Sequence, residues 1–184
     1  MKMNFVAKLT AVLLAVCALY TARAATSTVD GITWTYTVIN GCAMLGDGKS
    51  SAISTNTIGS ITIPSRIGRY DVTSIGEIAF LYCSSLESVI IPNSVTNIGR
   101  HTFWGCSSLK SVTIPNSVTR IESDTFRGCS LLECVIIPNS VTNIGHDTFR
   151  ACSSLKSVTI PNSVTSIGIN AFSGCSSLES VTIP

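Results

Sequence analysis

Apolar and polar positions from Gly59 onward recur with a period of 23 residues. Phe80, Phe103, Phe126, Phe149 and Phe172 form one column, and Cys83, Cys106, Cys129, Cys152 and Cys175 a second. Leu86, Leu109, Leu132, Leu155 and Leu178 follow, then Val89, Val112, Val135, Val158 and Val181, then Ile91, Ile114, Ile137, Ile160 and Ile183. Within one unit Phe103, Cys106, Leu109 and Val112 stand three apart, the spacing that an α-helical or 3₁₀ turn places on one side. Val112 to Ile114 is a step of two, that of a strand. Each unit is therefore expected to enter as a helical or 3₁₀ turn and leave as a short strand. Pro92, Pro115, Pro138 and Pro161 close the strands, since proline has no N–H for a ladder. A second apolar pair (Val95 and Ile98, and their equivalents) turns inward after the proline. A period of this length predicts a solenoid, in which no unit buries its apolar face alone and stacking makes each column a continuous stripe.

The pattern ahead of the repeats is different. Ile32-Thr-Trp34-Thr-Tyr36-Thr-Val38 alternates with period two, as a half-buried strand does. Asn40-Gly41 is a hairpin signal, and Cys42-Ala-Met44-Leu45 reads as the return strand. This hairpin is expected to cap the array, with Gly46 to Thr57 as a loop into it. Domain bounds follow as 1–24, a signal peptide; 25–58, hairpin cap and loop; and 59–184, a solenoid of about five coils. The first coil carries a five-residue insertion, Arg66 to Tyr70. The leader rests on Lys2 and Lys8 beside the apolar run Leu9 to Tyr20, then Ala22-Arg23-Ala24, which sets cleavage after Ala24. Leu14-Ala15-Val16-Cys17 resembles a lipobox with Cys17 as its lipidation site. Val16, however, stands where Gly, Ala or Ser is usual.

The unit Ile-Pro-Asn-Ser-Val-Thr-x-Ile-Gly-x-x-(Ala/Thr)-Phe-x-Gly-Cys-Ser-Ser-Leu-x-Ser-Val-x-Ile-Pro resembles the BspA-type leucine-rich repeat over residues 59–184. Its Phe-x-x-Cys-x-x-Leu-x-x-Val-x-Ile matches the Leu-x-x-Leu-x-Leu frame. That resemblance implies a secreted or surface-displayed protein engaged in adhesion or protein–protein contact, without enzymatic activity.

Charge narrows the partners. The chain has 12 Lys and Arg against 10 Asp and Glu, and removing Lys2, Lys8 and Arg23 with the leader leaves a formal net charge of −1. Such a chain has no basic field for nucleic acid or anionic lipid. No later stretch has the ~20 apolar residues of a membrane helix. Glu87, Lys110, Glu133, Lys156 and Glu179 alternate in sign along the stack, and Asn93, Asn116, Asn139 and Asn162 align as a candidate amide ladder.

Candidate chemistry is sparse. Stacked column cysteines direct their Cβ vectors in parallel, poor disulfide geometry, and are expected as buried free thiols. Neither a Cys-x-x-Cys pair nor a histidine accompanies them as a metal site, and no cofactor is implied. Cys134 replaces the serine of the other coils and is the candidate reactive thiol. His101 and His146 read as solvated turn residues, because no Gly-x-Ser-x-Gly elbow supports a hydrolase. The functional lead is the set of positions that vary between coils: Arg100, His101, Trp104, Arg127, His146 and Arg150. Stacking is expected to align Trp104, Arg127 and Arg150, residue types favoured at interface hot spots. The expected partner is a protein: host, cell-envelope, or a second copy meeting the C-terminal coil, which is expected to be uncapped at Pro184. The alternative is a structural spacer, or a fragment of a larger surface protein, with no ligand of its own.

Overall fold

The computed structural model describes residues 23–183. Residues 1–22 of the expected leader, Cys17 among them, lie outside the described residues. The N-terminal part is a meander of β1 (Ala24–Val29), β2 (Ile32–Ile39) and β3 (Cys42–Leu45), each antiparallel to the next. The turns are Asp30-Gly31 and Asn40-Gly41, all four residues with positive φ. The predicted hairpin thus has an additional outer strand, β1.

The coils supply β4 (Gly59–Thr62), β5 (Arg66–Ile67), β6 (Tyr70–Ile75), β7 (Leu86–Ile90), β8 (Asn97–Ile98), β9 (Ser111–Thr113) and β10 (Arg120–Ile121). They continue with β11 (Cys134–Ile136), β12 (Asn143–Ile144), β13 (Ser157–Thr159), β14 (Ser166–Ile167) and β15 (Ser180–Thr182). One face is a parallel sheet in the order β15-β13-β11-β9-β7-β4. A second face carries the two-residue strands after the prolines. There β10, β12 and β14 form one parallel sheet, while β8 pairs with β6, which in turn pairs with β3 of the meander. The insertion Arg66 to Tyr70 folds as a small hairpin, β5 on β6, with Arg66 Nε 2.9 Å from Asp71 Oδ1.

The five apolar columns are the core. The Phe rings stack from coil to coil with centroids 5.0–5.5 Å apart and nearly parallel planes. Trp34, buried in β2, packs edge-on against Phe80 at 6.3 Å and covers the N-terminal end of that stack. The meander therefore buries the first coil's face. The segment Gly46 to Thr57 is more than a connection. Its Ala52 and Ile53 are buried, and Ala52 accepts from the Thr35 amide and donates to the Ala79 carbonyl.

The turn side of each coil contains no helix among the described residues, so the helical form of the expected turn is not confirmed, although i→i+3 bonds such as Cys106 N–H to Phe103 O and Leu109 N–H to Cys106 O close turns within the coil. Two left-handed positions interrupt the path, His101 (φ 56°) and Gly105 (φ 73°) in the second coil, with equivalents in the others. Alternate amides reach across to the next coil, as Phe80 N–H does to Thr102 O at 2.8 Å and Phe103 N–H to Thr125 O at 2.8 Å. A helix would keep those bonds within the coil; stacking takes them along the axis instead. The i,i+3 spacing is correct, and the turns supply it. The asparagine column differs too: Asn93, Asn116, Asn139 and Asn162 are not buried, and no hydrogen bond joins them among the described residues. The alternating charges do pair. Lys110 Nζ lies 2.9 Å from Glu87 Oε2 and Lys156 Nζ 3.2 Å from Glu133 Oε2.

Candidate functional site

The turn face gathers the chemistry. His101 takes a left-handed φ, and its ring stands between carboxylates of two other coils. Nδ1 is 3.3 Å from Glu77 Oε1, and Nε2 is 3.5 Å from Asp124 Oδ2. Its side chain is 28% exposed, so it is a wedged residue and not the solvated one expected from sequence. The Trp104 ring lies 5.3 Å from it. Tyr82 packs on Trp104 from the preceding coil, centroids 6.0 Å apart, and the Arg127 guanidinium sits 4.9 Å over the indole from the following one. Such a cation–π contact is worth ~0.5–1 kcal/mol when exposed. Asp124 Oδ1, 3.0 Å from Arg127 Nη1, fixes the guanidinium there. Arg150 repeats that contact one coil on, with Nη1 3.1 Å from Asp147 Oδ1.

The structure therefore brings His101, Trp104 and Arg127 into contact. Arg100 and His146 belong to a second feature, a polar groove of about 310 Å³ that also takes in Arg120, Glu122, Asn143 and Ser166. His146 Nδ1 accepts the Ile169 N–H at 2.8 Å, which leaves Nε2 as a donor and ties the imidazole to the backbone.

Four contributors escaped the sequence reading. Glu77 and Asp124 pair with His101 only through stacking. Tyr82 occupies a column otherwise made of Gly105, Gly128, Ala151 and Gly174, all with positive φ. Gly105 is required beside it, since a Cβ there would lie 2.4 Å from the Tyr82 ring. Glu122 likewise stands alone in a column of Gly76, Gly99, Gly145 and Gly168. A Cβ at Gly145 would lie 2.5 Å from Ser123 N, and one at Gly168 2.4 Å from His146 N. Glu122 carries a Cβ, and the coils part at that point. Gly99 N–H donates to Ile75 O, Gly145 N–H to Ile121 O and Gly168 N–H to Ile144 O. No such bond joins β8 to β10 among the described residues. An exception within a glycine column was the available signal for both Tyr82 and Glu122.

All seven described cysteines are free, and Cys134 is exposed on β11. The column thiols donate along the axis, Cys106 Sγ to Phe80 O at 3.1 Å and Cys129 Sγ to Phe103 O at 3.2 Å. Burial is the chief reason their acidity falls: Cys152 is pushed up to about 12, and Cys106 and Cys129 are also raised well above the usual thiol range. Among the described residues no group of three His, Cys, Asp or Glu is arranged to hold a metal ion.

Parallel coils, a sheet face, a turn face and a continuous core define a leucine-rich-repeat solenoid. The chain belongs to the BspA type leucine rich repeat region family, whose model matches residues 73–184 in six copies. A leucine rich repeat protein of T. pallidum has a similar structure, with TM-score 0.75 and 32% identity over 82% of this chain and 69% of that one. A leucine-rich repeat protein from Bacteroides ovatus gives TM-score 0.73 and 35% identity over 86% of this chain, which spans only 41% of that protein. A leucine rich cell surface protein from Faecalibacterium prausnitzii gives 0.53 and 28%, over 86% of this chain and 54% of that one. No curated protein matches the chain. Solenoids of this family and fold are scaffolds for protein interaction and are typically non-enzymatic.

Proposed function

We propose that the chain is a secreted or cell-surface adhesion module that binds a protein through its turn face, without catalysis. The observation that carries this reading is the stack of Tyr82, Trp104 and Arg127 with His101 beside it. Aromatic and arginine side chains from three successive coils are held there in contact with one another. Trp, Tyr and Arg dominate interface energetics, and prior ordering by Asp124 and Gly105 lowers the entropy lost on binding. Arg150 extends the surface by one coil, and Arg100 and His146 border it. Secretion rests on the leader over residues 1–24 and on the surface location named for the Faecalibacterium relative. Sequencing the N-terminus of the exported protein should return Ala25 first.

The test is capture of host-matrix and cell-envelope proteins on the immobilised chain. A specific partner should be retained by the native chain and lost at least about tenfold by Trp104→Ala and by Arg127→Ala. Equal retention by both variants refutes the site. One observation favours the alternative reading, a spacer without a ligand: Arg127 and Arg150 are both neutralised by an aspartate of their own coil. A spacer would retain nothing specific from either source.

A further inference from the structure

The glycine column makes a trough. Where Gly145 and Gly168 succeed each other the backbone of the preceding coil lies close beneath, and Asn143, Ser166 and His146 line the groove with them. Glu122 stands at the head of the trough, and two arginines lean on it. Arg120 Nε is 3.4 Å from Oε1 and Arg100 Nε 4.0 Å from Oε2, both longer than an ordinary charged hydrogen bond. Both guanidiniums are well exposed, and no hydrogen bond engages the paired Nη groups of either among the described residues. The lining is thus rich in donors: two guanidinium forks, the His146 Nε2–H, the Asn143 amide and the Ser166 hydroxyl. Against them stands a single carboxylate.

We propose that this trough receives an acidic side chain of a partner protein, clamped between Arg100 and Arg120, and that Glu122 is a resident stand-in which the incoming carboxylate displaces. The planar fork of arginine suits a carboxylate bound through both oxygens, and here the two free forks flank one point. Glu122 contributes in two ways. Its Cβ holds β8 and β10 apart and so separates the arginines, while its carboxylate occupies their charge in the absence of a partner. The inference rests on the reading of the chain as a protein-binding module, and it names the chemistry of that partner.

The experiment measures fluorescence anisotropy of a fluorescein-labelled hexaglutamate peptide with the full chain in about 50 mM salt, where screening is weak. The native chain should bind hexaglutamate and not hexalysine. Glu122→Gln keeps the wedge and removes the competing charge, and should tighten binding at least about threefold. The double variant Arg100→Ala/Arg120→Ala should weaken it at least about tenfold. Trp104→Ala should leave the peptide affinity unchanged while losing the captured partner. Failure of the turn-face site is thereby distinguished from failure of the trough. A native chain that ignores hexaglutamate, a Glu122→Gln variant that binds no tighter, or heparin bound in preference to the peptide each overturns the proposal.

Discussion

One methylene decides much of this molecule's local order. At Gly145 and Gly168 the preceding coil approaches so closely that any side chain must displace backbone, and Glu122 is the place where the chain accepted that displacement. The cysteine column makes the opposite demand, a small apolar side chain with one weak donor. Burial holds those thiols protonated, with the folded-state value raised above the unfolded 9.0. The linkage sign follows: an unfolded chain loses these protons first, so the contribution to stability is complete below pH 9 and is lost as pH rises toward 12. Cys106, Cys129 and Cys152 should each cost on the order of 1 kcal/mol per pH unit above 9, read from urea midpoints at pH 8, 9 and 10. A thiol reagent at pH 8 should modify Cys134 rapidly and the column only on unfolding. Early modification of Cys129 would show that the core opens locally.

At the scale of elements, the 23-residue columns made the coils, the parallel sheet and the apolar core legible, because the Phe, Cys, Leu, Val and Ile columns repeat unchanged from coil to coil. Whether the turn is a helix was not legible, because i,i+3 spacing is shared by a helix and by a turn with two left-handed residues. The Gly at 105, 128 and 174 carried that distinction. Of the candidate site, Trp104 beside Arg127 was legible, since equal positions in neighbouring coils must stack. The pairing of His101 with Glu77 and Asp124 was not, because side chains from three coils meet there at unequal depths. The missing β8–β10 ladder has a direct signature. Amides of Thr119 and Glu122 should exchange with solvent faster than those of Thr142, Gly145, Thr165 and Gly168, all of which donate to the preceding coil. In Glu122→Gly the ladder should close and their exchange should slow to match. Equal protection in the native chain would show that the ladder is already formed.

The whole molecule is held by nearest neighbours: each coil bonds to the one before and the one after, and stability is close to a sum over interfaces. The meander joins this sum through Trp34 on Phe80 and through β3 on β6. The interface between the second and third coils has lost one of its hydrogen-bonded faces, although its phenylalanine stack and turn-face bonds are complete.

That weak interface gives the solenoid a fracture plane. When the chain is stretched by its ends, load passes through every interface in series, and the one with fewest bonds yields first. Pulled by its ends in an optical trap, the chain should part between Ile98 and Arg120 before any other coils separate, and Glu122→Gly should raise that first rupture force. A solenoid built this way gives way at one seam, extends, and keeps the remaining coils folded.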